Sequence, residues 1–381
     1  MGIFTGLTPG IHINLVCTLL IAYSAFILKI SYPLSISCFV IAMSITHSFL
    51  DIIPSVYLGA PDESKALAVL PAHRLLLEGK AHDAIIITLL GSLFSLILMI
   101  LSIPIFLYLF PLIYLSAQKY IAFLLILMLL IILFQEKDKF SALLVLAISG
   151  FLGVLVFKLN MENPLFPMLS GLFGISTLIT SLSSNPKVPE QKIENKTYEI
   201  FPLQSLIAMF SGSLTTIFPG LGAAHAASIG TKFAREKGTE SYLFLLGGIG
   251  TVAMASSLIS LYTLDKARNG SIIAISHFIQ NIDIKIMIAL YAAALVSSGI
   301  SIILSIEISK KIANLINKIN YRTLCISIIF FVTSLVIILT GFTGLVVLVV
   351  SSVIGLLPEY FKTQKSQCMG CLLIPVILYF L

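Results

Sequence analysis

A proline–glycine pair interrupts an apolar run at Pro219-Gly220, and the same break occurs near the start of the chain at Pro9-Gly10. Gly2, Thr5, Pro9 and Gly10 recur as Gly212, Thr215, Pro219 and Gly220 at one constant separation of 210 positions. Proline lacks the amide donor that a helix interior needs, and glycine accepts positive φ, so the backbone is expected to unwind at each pair. In hydrocarbon, unwound backbone is tolerated only where protein or a water-filled cavity satisfies its polar groups. A helix starting just after the pair aims free N–H groups and the positive end of its dipole into that cavity. The simpler alternative is a kinked helix whose small residues pack against a neighbour. Recurrence favours the first reading, because two discontinuous segments at corresponding places in two halves mark a transporter's binding site.

Composition sets the environment. Hydrophobic residues make up 58% of the chain, charged residues 10%, and the mean hydropathy is +1.06. Soluble domains carry about 25% charged residues, so this sequence reads as a polytopic membrane protein embedded in the lipid bilayer. No basic n-region precedes the first apolar run, and a cleavable signal peptide is not expected. The net charge of +6 gives no reason to expect a nucleic-acid partner, because the basic residues lie in short loops between spans. Cys368 and Cys371 form a CxxC without a second pair or a histidine cluster, so neither metal nor redox cofactor is expected.

Apolar runs cover Ile11 to Lys29, Pro33 to Leu58, Ala84 to Leu115, Ile121 to Phe134, Phe140 to Phe157 and Pro164 to Leu182. A polar linker follows from Ser183 to Glu199. Beyond it come the broken segment Phe201 to Gly230 and runs at Tyr242 to Leu264, Ile284 to Ile306, Leu324 to Thr340, Val346 to Leu357 and Leu372 to Leu381. Asp62 to Asp83 reads as a charged loop, and Ile306 to Ile319 as an amphipathic helix lying in the membrane interface. The expected architecture is all-α, with two inverted repeats at residues 1–200 and 201–381. Each repeat is a broken, re-entrant hairpin plus about five transmembrane helices, an odd number of crossings that inverts the second half. Loops 59–83, 135–140, 183–200, 231–241, 307–323 and 358–367 then share the cytoplasmic side. They hold 17 of the 23 Lys and Arg residues, as the positive-inside rule requires.

Asp51 is the acid placed well inside a span. Ser44, Ser48, Asp51 and Ser55 recur at helical spacing on one face, with His47 one turn before Asp51. An ionisable group at membrane depth is a functional hypothesis by default. Asp51, with His47 and Ser48, is a candidate site for a coupling ion, Na⁺ or H⁺; the alternative is that Asp51 caps nearby backbone. The candidate substrate site gathers around the breaks: Thr8, Pro9, Gly10, His12 and Asn14 at the first, and Thr215, Thr216, Pro219, Gly220, Gly222 and His225 at the second. Ser257, on a later span rich in Gly and Ser, is a further candidate, although small residues also serve close helix packing. The spans contain no arginine, so two converging helix N-termini are expected to attract a small-molecule anion, most simply a carboxylate. No HExxH, GxSxG or P-loop is present, which speaks against an enzyme. A stand-alone carrier or flippase for another metabolite or lipid-linked anion is the alternative to a carboxylate permease.

Gly6-Leu-Thr-Pro-Gly10 and Ile217-Phe-Pro-Gly-Leu-Gly-Ala-Ala-His225 resemble the duplicated Pro-Gly motifs of the large permease of tripartite tricarboxylate transporters, the TctA-type family. Gly59-Ala-Pro61, followed by Pro71, Arg74 and Gly79-Lys80, resembles that family's loop after the second span. The chain is similar over most of its length to a short member of the family, with Asp62-Glu63-Ser64-Lys65 where small residues are expected. The resemblance implies ion-driven symport of carboxylates such as citrate. It also implies a small membrane subunit and an extracytoplasmic binding protein as partners; a homo-oligomer is left open.

Overall fold

The computed structural model describes residues 1–8, 13–58, 69–134, 136–159, 161, 163–184, 189–193, 197–218, 226–227, 230, 238–316 and 321–381. Among these residues every regular element is helical. The first half comprises α1 (Gly2–Leu7), α2 (Ile13–Ala22), α3 (Ser24–Ile30), α4 (Pro33–Leu50), α5 (Ile52–Leu58), α6 (Val69–Leu77), α7 (Ala81–Leu101), α8 (Ile103–Ala117), α9 (Ile121–Phe134), α10 (Lys139–Lys158), α11 (Leu165–Leu169) and α12 (Ser176–Ser184). After the linker come α13 (Pro202–Ile217), α14 (Thr239–Leu264), α15 (Gly270–Phe278), α16 (Ile284–Ile316), α17 (Tyr321–Tyr360) and α18 (Gly370–Phe380). Among the described residues, seven helical stretches are long and apolar enough to cross a membrane. Large apolar side chains such as Phe151, Ile303 and Phe330 stand on the outer surface, where lipid rather than water is their natural neighbour. The chain is an all-α, multi-pass membrane protein.

The middle of the fold is built on α4 and α14. Helix α1 packs on α4 and α13 packs on α14; α4 also meets α16, and α14 meets α7. The two crossings share one register. A Cβ built on Gly2 would stand 2.5 Å from Met43 O and 2.7 Å from Thr46 Cβ. A Cβ built on Gly212 would stand 2.9 Å from Ile249 O and 2.9 Å from Val252 Cβ. One turn on, Gly6 lies against Leu50, and Thr216 lies against Ser256. On α1 and α13 the matched residues differ by 210 positions; on α4 and α14 they differ by 206. Close approach also fixes α7 on α14. Gly91 abuts the Phe244 carbonyl, Gly247 abuts the Thr88 carbonyl, and Ser92 Oγ donates to Gly247 O at 3.0 Å. Without a hydrophobic driving force between helices in lipid, such small-residue contacts supply the packing.

A second, smaller core joins α10, α11, α17, α18 and the π-helical turn Ser170–Ile175. Gly153 faces the Cys371 carbonyl and Gly171 faces Leu348 and Ser351. Glu136 is buried at its edge, where Oε1 accepts from Gln364 N at 2.9 Å and Gln367 Nε2 at 3.1 Å.

Several elements differ from the sequence-based expectation. Ile11 to Lys29 is divided at Tyr23 (φ −96°, ψ 15°) into α2 and α3. The stretch expected as a charged loop contains α6, whose Ala72, Leu75 and Leu76 are buried despite the charges flanking them. Ile306 to Ile316 is no separate interfacial helix: α16 continues unbroken to Ile316, because no breaker interrupts it and Ser305, Ser309 and Ala313 pack inward. Helix α17 carries one sharp interruption at Gly341 (φ +66°, ψ −161°), a conformation that glycine adopts without Cβ strain. Helix α15 was not anticipated at all.

Candidate functional site

Helices α1 and α13 stop in the same way. Thr8 ends α1 at φ −100°, ψ 105°, and Phe218 ends α13 at φ −101°, ψ 115°. Each precedes a proline, whose ring disfavours helical backbone in the residue before it. Each cap N–H still reaches back one turn, Thr8 to Phe4 O at 3.1 Å and Phe218 to Leu214 O at 2.9 Å. Pro9, Gly10, His12, Pro219, Gly220, Gly222 and His225 lie outside the described residues.

The short segment between α14 and α15 gathers several of the candidate residues. Ser260 Oγ lies 3.5 Å from Thr216 O and 3.2 Å from Lys266 O, strapping this segment to the end of α13. Thr216 Oγ1 is 3.2 Å from Ser256 Oγ. Ser257 Oγ donates to Ala253 O at 2.7 Å and accepts from Asn269 Nδ2 at 3.1 Å. Asn269 Oδ1 accepts from Ile272 N at 2.9 Å, so Asn269 is the N-cap of α15. Asn14, at the start of α2, accepts from Gly270 N at 3.1 Å. Ser44 Oγ donates to Ser271 Oγ at 2.7 Å, and Cys17 Sγ lies 3.6 Å from the same hydroxyl. Thr215 is turned away onto its own helix, donating to Gly212 O at 2.6 Å.

These bonds orient α15. Its first turn touches Asn14 and Ser44, while its last turn brings His277 Nε2 to 3.2 Å from Ser24 Oγ at the start of α3. Helix α15 therefore runs beside α2 in the same direction. Ser44 lies eleven residues into α4, roughly 16 Å along it at 1.5 Å per residue. Asn269 returns to the level of Ser257, seven residues before the end of α14, so the chain doubles back along α14 before α15 begins.

The ion-coupling candidates form a neighbouring cluster on α4. His47 Nδ1 is 3.1 Å from Thr5 Oγ1 of α1, and Thr5 Oγ1 donates to Gly2 O at 3.2 Å. Ser48 Oγ donates to Ile45 O at 3.0 Å. Asp51 is 3% exposed at the junction of α4 and α5. Pro54 causes that junction, since it cannot supply the amide that would close the turn onto Leu50. Asp51 N donates to His47 O at 2.9 Å, and Ser55 Oγ donates to Asp51 O at 2.7 Å.

Asn14, Thr216 and Ser257 are thus drawn to one segment, and His47, Ser48 and Asp51 share one helix face beside Thr5. Sequence reasoning missed Asn269 and Ser271 among the residues that join them, and it read Thr5 only as a repeat position and Ser256 only as a packing residue. Asn269-Gly270 is a legible helix start, but nine residues of helix are too short for a hydropathy signal.

Comparison with known proteins adds an independent finding. The model of the tripartite tricarboxylate transporter TctA family matches residues 1–370. An uncharacterized protein of Methanocaldococcus jannaschii is 32% identical over 392 residues, covering 100% of this chain and 96% of that relative. No solved structure matches.

Proposed function

Because the chain belongs to the tripartite tricarboxylate transporter TctA family, a family of membrane transporters, we propose that it is an ion-coupled permease for a small organic anion, a di- or tricarboxylate. The observation that carries this reading is the matched pair of helix ends. Helices α1 and α13 stop in the same extended conformation immediately before the two Pro-Gly pairs, and they cross α4 and α14 in the same register. This supports a repeat of residues 1–200 in residues 201–381, and in our reading the second copy is inverted and the two breaks meet. The anion binds there, on helix N-termini and on polar groups around Thr8, Pro9, Gly10, His12, Asn14, Thr215, Thr216, Pro219, Gly220, Gly222, His225 and Ser257. Na⁺ or H⁺ couples through Asp51, with His47 and Ser48 beside it. The family context supports a small membrane subunit and an extracytoplasmic binding protein as partners.

The test is binding and proteoliposome uptake of citrate and succinate by the wild type and by Gly10→Ala and Gly220→Ala. The wild type is expected to bind and accumulate a carboxylate. Each alanine, by crowding the backbone approach, is expected to weaken binding about tenfold, ~1.4 kcal/mol. A wild-type protein that binds no carboxylate, or that binds a cation or neutral lipid instead, overturns the reading.

A further inference from the structure

Arg268 stands where the sequence promised no cation. It lies in the segment between α14 and α15, half-buried, two residues before the N-terminus of α15. Nη2 donates to Ile217 O at 3.2 Å, which holds the guanidinium against the last residue of α13, next to the second break. Its Nε is enclosed and has no hydrogen-bond partner. Among the described residues no carboxylate forms an ion pair with it. The neighbouring Lys266 is directed elsewhere, with Nζ 4.8 Å from the centre of the Tyr114 ring. A charged donor enclosed without an acceptor is costly, and in native structures such a deficit calls for a missing partner.

The surroundings are positive as well as polar. The N-terminus of α15, the positive end of its dipole, begins two residues after Arg268. Asn269, Ser257 and Asn14 fix the backbone there through the bonds given above. No other described charged side chain is bonded to the end of α13.

We propose that Arg268 is the residue that takes a carboxylate of the transported anion, forming a charge-assisted fork that secures it beside the second break. The proposal rests on the anion-transport reading and sharpens it. Substrates with two or more carboxylates gain from Arg268 and from the N-terminus of α15 at once, whereas a monocarboxylate satisfies only one of them. Guanidinium is suited to this because it presents planar paired donors and stays ionised when partly buried.

Equilibrium binding of citrate, succinate and acetate to the purified full chain tests it, together with initial uptake rates in proteoliposomes. Arg268→Gln is expected to weaken citrate and succinate binding at least tenfold, raising KM more than it lowers the maximal rate, and to erase the preference over acetate. Arg268→Lys keeps the charge without the fork and is expected to recover part of that loss; Lys266→Gln leaves binding unchanged. Should Arg268→Gln fail to fold, wild-type protein decides: citrate should slow phenylglyoxal modification of Arg268, read by mass spectrometry. If the wild type binds citrate while Arg268→Gln binds it equally, or if citrate leaves Arg268 fully reactive, the assignment of Arg268 is wrong although the permease reading stands. If the wild type binds no carboxylate, both fail together.

Discussion

Where α1 crosses α4, Thr5 meets His47, and Asp51 stands one turn further along α4. Where α13 crosses α14 in the same register, Ala253 and Ser257 occupy the places of His47 and Asp51, 206 positions on. The glycines that let the helices touch, Gly2 and Gly212, are alike. The first crossing therefore carries titratable groups, and the second carries hydroxyls that secure Asn269 and, through Ser260, the segment holding Arg268. Packing explains the shared residues but not the difference. A buried carboxylate is costly unless polar groups compensate it, and serine fills the matching position at a smaller cost. The difference is the pattern expected if one crossing handles the coupling ion and the other handles the anion.

The most severe break of this comparison is Asp51→Asn, which keeps the shape but removes the charge and turns one acceptor oxygen into a donor amide. Gradient-driven accumulation in proteoliposomes should fall more than tenfold, while carboxylate binding at equilibrium and the folded state persist. Undiminished accumulation would remove Asp51 from coupling and leave the two crossings chemically equivalent.

Next in size are the contact glycines. An added Cβ at Gly2 or at Gly212 meets backbone oxygen and a β-branched side chain. Overpacking of this kind costs about 1–3 kcal/mol. If the crossings share one register, Gly2→Ala and Gly212→Ala should lower the melting temperature in detergent by similar amounts. A large drop for one and none for the other would break the equivalence at the level of backbone.

A smaller and more selective effect is expected from the threonines. Thr216→Val removes the contact with Ser256, a loss of about 0.5–1.5 kcal/mol. Thr5→Val takes away a partner of His47 Nδ1. Both should lower stability a little, yet only Thr5→Val should change the dependence of uptake on the ion gradient. Equal transport phenotypes would mean that the hydroxyls act through packing alone.

The least effect is expected far from both crossings, at Asp138. It caps α10, accepting from Ser141 Oγ at 2.6 Å and from Phe140 N and Ser141 N. The Ser141 hydroxyl, above all, holds this carboxyl below its ordinary value of 3.8. A depressed folded-state value means that the contribution to stability is present above about pH 4 and is lost as pH falls through the folded value. Asp138→Ala should therefore reduce the melting temperature slightly at pH 7, converge with the wild type in acid, and leave uptake unchanged. A transport defect here would show that the second core is coupled to the site.

Much of this protein was readable along the chain. Mean hydropathy and charge required membrane helices, because hydrocarbon admits no unpaired backbone. Pro9-Gly10 and Pro219-Gly220 located the helix ends now seen at Thr8 and Phe218, because proline acts on its own neighbour and needs no tertiary partner. Asp51 stood out because a carboxylate in an apolar run is rare on solvation grounds alone. The register of α1 on α4 and of α13 on α14 was not readable, since glycine spacing along one helix does not name the helix it meets. Nor was the course of residues 265–278. Their composition resembles an ordinary connection, and only the bonds from Asn14, Ser44 and Ser257 draw α15 inward and bring Arg268 to the end of α13. Local stereochemistry decides where a chain can break; which polar groups then face one another depends on contacts between residues more than two hundred positions apart, and these exist only once the helices are packed.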